Sequence, residues 1–135
     1  MNDASEAPLR LRRIVARPRD AASLILLRGA GEKIEVLLGR RALFLRFMPG
    51  AYVFPGGAID PGDRRGWAVE TGAEALGDRL AAAAHAALRE TWEEVGLLFG
   101  RPADQPPAAM SLQAVERAYA EEGVVAALDR LVYVG

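Results

Sequence analysis

From Leu80 to Val95 the chain runs LAAAAHAALRETWEEV without a glycine or proline, and then meets Gly96. Alanine and leucine are strong helix formers, and a glycine just past the last periodic residue is a stop signal. The stretch therefore reads as a helix over 80–95, and the rest of the fold must be built around it. At about 100° per residue, Glu90, Glu93 and Glu94 fall within an arc of roughly 100°. Ala84, Leu88, Thr91, Trp92 and Val95 occupy another arc, broadly opposite, so the helix can bury one face and present three carboxylates on the other. Trp92 reads as the anchor of the buried face. Arg89 and Glu93 are four apart, close enough for the guanidinium to orient that acid. Glu90 and Glu94 adjoin with no lysine between them and repel unless something positive sits there. From the helix alone, an ordinary solvated face with i,i+4 pairs remains the competing description.

What could sit there is narrowed by composition. The chain has no cysteine and one histidine, His85, so thiolate and all-histidine sites are excluded. A metal would be bound mainly by oxygen, which points to Mg2+ or Mn2+. The formal net charge of −1 gives no reason to expect attraction to nucleic acid or membrane over the whole surface. The N-terminus, MNDASEAPLRLRRIVARPRD, lacks a signal-peptide apolar core, and no apolar run approaches the roughly 18 residues of a membrane span. Cytoplasm is the expected location. His85, on the border of the polar arc, reads as a packing or surface residue.

At 135 residues the chain is one domain's worth. Residues 1–10 read as a disordered tail and 11–135 as the domain. ASLILLR (22–28) and KIEVLLGRR (33–41) are β-rich runs joined by GAGE, which suggests a hairpin. LFLRFMPGAYVFPGGAIDPGD (43–63) reads as an irregular loop around a short strand at 51–54. Residues 64–79 are polar, weakly patterned and interrupted by Gly66, Gly72 and Gly77. Beyond Gly96, LLF (97–99) reads as a strand and 100–110 as a loop. Ser111 stands as the cap of an amphipathic helix, LQAVERAYAEE, stopped by Gly123. A short helix at about 124–130 and a strand, LVYVG, finish the chain. This order of elements is α/β or α+β with one sheet.

Upstream of the acidic helix lies FPGG, where Gly56 and Gly57 permit backbone geometries closed to other residues and can turn a carbonyl towards a cation. At this point PGG…RETWEEVGL resembles the Nudix box of the Nudix hydrolases. Gly57 opens the box, Asp63 stands at its first Glu position, and Arg89-Glu90, Glu93-Glu94, Gly96 and Leu97 complete it. Asp63 is one methylene short, Thr91 replaces a hydrophobic residue, and 25 residues separate Asp63 from Arg89 where the pattern has seven. The extra segment, about 64–81, reads as a surface excursion that leaves both halves intact. Its presence is similar to an insertion found in the coenzyme A-cleaving branch of the family.

A second pattern precedes the box. LLGRRALFLRFMPGAYVFPGG (37–57) resembles the coenzyme A signature of such enzymes: Arg41, Ala42, Arg46, Gly50, Phe54 and Pro55-Gly56-Gly57 fall at the required spacings, with Gly39 in place of a threonine. Arginine suits the forked phosphate contacts that a 3′-phosphate and a diphosphate offer. An exposed arginine rim on a strand end is the plainer alternative. The resemblance implies an α/β/α sandwich around a mixed sheet. It also implies metal-dependent hydrolysis of a nucleoside diphosphate linked to another moiety, here coenzyme A or acyl-CoA, to 3′,5′-ADP and (acyl-)phosphopantetheine. It assigns catalysis to Glu90, Arg89 and Glu93, metal binding to Glu90, Glu94, Glu93 and the Gly56 carbonyl, and substrate binding to Arg41, Arg46, Phe54 and Gly57. The partner is a small nucleotide, and a homodimer is compatible. Domains of this type continue further past the box, so the C-terminal part of the sheet is expected to be missing. An ADP-ribose or NADH pyrophosphatase, and a truncated module that binds without turnover, are the alternatives.

Overall fold

The helix forms where its composition places it, and it is more enclosed than its two arcs suggest. In the computed structural model, which describes residues 17–105 and 112–135, α1 spans Gly77–Val95. It starts three residues before the expected Leu80, with Asp78 in its first turn, where a negative charge complements the helix dipole. Gly96 ends it in the left-handed conformation (φ 70°), its N–H bonded to the Trp92 carbonyl at 2.9 Å. Ala81, Ala82, His85, Ala86, Ala87, Leu88, Arg89 and Thr91 are all buried. Small alanine side chains let neighbouring segments approach the helix from several sides, and the three glutamates occupy the strip left open.

Among the described residues the strands form three two-stranded sheets and one of three strands. β1 (Ala21–Ser23) pairs antiparallel with β6 (Gly56–Ala58), Ala22 opposite Gly57, and both strands pack on α1. β2 (Leu27–Arg28) and β3 (Glu35–Val36) form the expected hairpin, and β4 (Gly39–Arg40) pairs with β5 (Tyr52–Val53). The loop between β4 and β5 is exposed: Leu43, Phe44, Phe47 and Met48 all stand in solvent. A mixed sheet has β9 (Val124–Ala127) at its centre, parallel to β7 (Glu70–Thr71) and antiparallel to β8 (Gly100–Pro102). α2 (Ala114–Glu121) packs on β9 and α1. The core joins Leu88 of α1 to Trp67, Val69, Val115, Tyr119, Ala126 and Leu128. Tyr119 is fully buried; burial pushes its hydroxyl up to about 12, while it donates to the Phe99 carbonyl at 2.9 Å.

Several sequence expectations are corrected here. The segment 64–81 is not a surface excursion. Trp67 and Val69 are buried, β7 joins the mixed sheet, and the Ala68 N–H donates to Glu116 of α2 at 2.8 Å. Trp92, expected to anchor the buried face, packs half-buried against the core, whose buried aromatics are Trp67 and Tyr119. Residues 97–99 are not a strand; pairing begins at Gly100, where an added Cβ would meet Val124 Cγ1 at 2.7 Å. Only glycine lets the backbone come that close. Residues 124–127 are strand, not helix: the valines favour strand, and two flanking partners override the alanines' helix propensity. A 3-10 turn, Leu128–Arg130, follows, and 131–135 has no regular structure. Ser111 lies outside the described residues; the N-cap of α2 is Gln113, in a capping box with Glu116.

Because Trp67 is a core residue, Trp67→Ala is expected to destabilise the domain by about 3–5 kcal/mol. Urea unfolding of wild type and variant measures this; a change below about 1 kcal/mol is what a surface excursion would give.

Candidate active site

Arg89 is 7% exposed, and a guanidinium withdrawn from water needs partners for every N–H. It has them. Nε and Nη2 donate to the two oxygens of Asp63, each at 3.0 Å, in a forked pair. Nη1 donates to Glu90 Oε1 at 2.9 Å and to Glu93 Oε2 at 3.2 Å, and Nη2 also donates to the Ala58 carbonyl at 3.0 Å. Asp60 lies 3.7 Å from Nη2. All five donors are engaged. The hydrogen bonds to Asp63 raise the Arg89 pKa above its ordinary value; burial opposes the rise, and Glu90 adds to it.

Asp63 is 1% exposed and sits in a 3-10 turn, Pro61–Arg65, which packs directly on α1. The turn is closed reciprocally: Asp63 Oδ2 accepts the Asp60 N–H at 2.8 Å, and the Asp60 side chain accepts the Asp63 N–H. Pro61 sits at its start. The missing methylene of Asp63 is thus made up by bringing its backbone close to the helix. Asp-x-x-Asp with a proline was a readable capping signal, although Asp60 does not stand out by spacing to the glutamates.

Glu90 lies against β6. A Cβ on Gly57 would come 2.5 Å from Glu90 Oε1, so the glycine makes room for the carboxylate. At Gly56 an added Cβ would fall 2.5 Å from Ser23 Oγ and 2.6 Å from Ser23 Cα on the paired strand. Neither glycine has a positive φ, so close approach, not a special backbone conformation, is what both require. The Gly56 N–H donates to Glu94 Oε2 at 3.2 Å. Glu90 and Glu94 therefore each have a positive partner of their own, the guanidinium for one and a peptide N–H for the other.

The structure brings Arg89, Glu90, Glu93, Glu94, Gly56 and Gly57 together at one end of α1. Among the described residues, however, no three acidic or histidine side chains converge closely enough to enclose an ion by themselves. Arg41 and Arg46 are not joined to this cluster by any hydrogen bond or ion pair among the described residues. Arg41 Nε donates to the Phe47 carbonyl at 3.0 Å, and its guanidinium stands 5.9 Å from the Phe47 ring. Arg46 is exposed, and Phe54 is 41% exposed. His85, read from sequence as packing or surface, is 1% exposed and touches the Asp63 carbonyl. Its partners, Trp67 and Glu70, fell in the segment whose weak patterning hid them.

A conserved-sequence description of the NUDIX domain matches residues 17–116, which include the turn carrying Asp63 and all of α1. The chain belongs to the NUDIX family. The solved structure of a NUDIX hydrolase from Alicyclobacillus acidocaldarius is similar, with 33% sequence identity and a TM-score of 0.55 over 82% of this chain. The chain spans 57% of the length of that hydrolase. No curated protein matches the sequence. The architecture is a Nudix fold, mixed α and β with a mixed sheet, as the resemblance implied. Among the described residues no helix is long and apolar enough to cross a membrane.

Removing Arg89 would leave Asp63 buried without its partner, so Arg89→Ala is expected to cost about 3–5 kcal/mol. Lysine should recover only part, because it cannot reproduce the fork. Thermal and urea unfolding of the two variants are the check; equal stability of the lysine variant and wild type would contradict the five-donor account.

Proposed function

We propose that the chain is a metal-dependent hydrolase of nucleoside diphosphates linked to another moiety, with coenzyme A or acyl-CoA as substrate and 3′,5′-ADP and (acyl-)phosphopantetheine as products. The observation that carries the general reaction is the buried Arg89 holding Asp63, Glu90 and Glu93 together beside Gly56 and Gly57 in a NUDIX domain. The coenzyme A reading rests on the spacing of Arg41, Arg46, Gly50 and Phe54 ahead of that site.

The donor set suits a hard cation: carboxylates of Glu90, Glu93 and Glu94, with the Gly56 carbonyl, are oxygen ligands of the kind Mg2+ or Mn2+ accepts. When bound, the cation would supply Lewis acidity towards the diphosphate and the attacking water. Glu90, held by Arg89 through Oε1, keeps Oε2 to orient that water or accept its proton. Gly57 keeps the approach to Glu90 open. Arg41 and Arg46 would bind the anionic ends of the substrate, and Phe54 would lie against it. We place this small-molecule chemistry in the cytoplasm.

The test is steady-state hydrolysis of CoA and of dephospho-CoA at saturating Mg2+. Glu90→Gln and Glu94→Gln are each expected to abolish turnover with the fold retained. Arg46→Ala should raise KM for CoA roughly ten- to a hundredfold more than for dephospho-CoA, since a charge-assisted contact is worth about 1.5–3 kcal/mol. Equal losses on both substrates would mean that Arg46 does not read the 3′-phosphate. No loss on either would favour a broader diphosphatase.

A further inference from the structure

The two halves of the box are separated by 25 residues, yet Asp63 and Arg89 meet with hydrogen-bonding precision. Something other than chain adjacency must hold the Asp63 turn against α1. The imidazole of His85, one helical turn before Arg89, sits at the junction. Nδ1 lies 2.8 Å from the Asp63 carbonyl oxygen, and Nε2 is bonded to a carboxylate oxygen of Glu70 at the start of β7. Both partners are acceptors, whereas a neutral imidazole carries one N–H. Two donors are supplied by the imidazolium facing the Glu70 carboxylate. Trp67 covers the ring, with centroids 4.6 Å apart and planes at 16°, as suits a cation over an indole face. Among the described residues the Trp67 Nε1–H is buried without a hydrogen-bond partner, so stacking and packing alone set this indole's position.

We infer that the buried His85–Glu70 pair, capped by Trp67, is the clasp that holds the Asp63 turn on α1, which makes His85 and Glu70 positioning residues for Arg89 and Glu90. The consequence for catalysis rests on the hydrolase reading above; the clasp does not. Asp63 is held at both ends, its carbonyl by His85 and its carboxylate by Arg89, so a shift of the imidazole moves the fork. Two of the three clasp residues, Trp67 and Glu70, belong to the segment that interrupts the box, which therefore carries its own fastening. Burial alone would lower the His85 pKa, but the hydrogen bonds to Glu70 and to the Asp63 carbonyl outweigh it and raise the pKa above the ordinary value. The charged groups around the adjoining cavity are Asp63, Arg64 and Arg65 of the turn, Glu70, Glu74 and Asp78. The stabilisation is thus fully present below the unfolded-state pKa of about 6.5 and is lost as pH rises through the raised folded value.

His85 is the chain's one histidine, so its imidazole resonances are unambiguous. Side-chain nitrogen NMR of the full chain, titrated upward from about pH 5, should show both ring nitrogens protonated to above the ordinary midpoint. The Arg89 Nε–H resonance should shift with the same midpoint, while that of exposed Arg40 should not. Glu70→Gln should lower the midpoint of both signals relative to wild type. A single neutral tautomer throughout, or an Arg89 signal indifferent to the His85 midpoint, overturns the inference. These readouts need no turnover, so an inactive chain would sink the hydrolase reading and leave the clasp decided. If Glu70→Gln does not fold, the wild-type titration decides alone. In active protein, Glu70→Gln should lower kcat about tenfold with KM within about twofold of wild type, the mark of misplaced groups rather than lost binding. A change confined to KM would contradict positioning.

Discussion

A guanidinium taken almost out of water imposes a severe condition on its surroundings, because each N–H left without an acceptor costs on the order of 1–3 kcal/mol. Around Arg89 that condition is met by a turn, a strand and the helix itself. The Asp63 carboxylate, the Ala58 carbonyl and the side chains of Glu90 and Glu93 all converge on one planar group. The geometry of the guanidinium dictates where each of them can stand. Glu90 is drawn over Gly57, and the lack of a side chain there becomes a requirement of charge placement, not of backbone freedom. Since no donor of Arg89 is left over, it cannot also clamp an anionic ligand. On the proposed function, phosphate would be met by other cations, such as the half-buried Arg41 and the exposed Arg46 between β4 and β5.

The helix and its acidic strip were legible because helix propensity, periodicity and a glycine stop all act locally. The β2–β3 hairpin was legible for the same reason, whereas Gly56–Ala58, expected to be irregular loop, is strand β6, paired with a β1 that lies far from it in sequence. What could not be read locally was how the interrupting segment packs. Trp67 and Val69 are two apart in a stretch rich in glycine and charge, and a two-residue strand leaves too short a pattern to announce burial. β9 was misread for a related cause: VVAA is strand because β7 and β8 flank it, and neither partner is near it in sequence. Arg89 reaches Glu93 as the i,i+4 spacing implies, but its burial against Asp63 could not be read from helix spacing alone.

The position of Asp63 shows how a departure from a motif can be absorbed. Shortening an acid by one methylene would break a contact across a fixed gap. Here the gap is not fixed, since the Pro61–Arg65 turn rests on α1 and its reciprocal cap holds the carboxyl in line with the fork. The same turn offers its Asp63 carbonyl to His85, so one residue is gripped through main chain and side chain together.

The long separations in this network also govern the order of assembly. Asp63 and Arg89 are 26 residues apart, and the Ala68 N–H meets Glu116 across 48. Closing loops of that size costs chain entropy before any contact rewards it, whereas α1 and the β2–β3 hairpin need only neighbours. During folding, α1 would therefore exist for a time with Glu90, Glu93 and Glu94 crowded beside one solvated arginine. Docking of the turn then converts a surface charge cluster into a buried hub. On this ordering the electrostatics of the site are the last property of the domain to mature, and ionic strength should act on the late phase of folding more than on the early one.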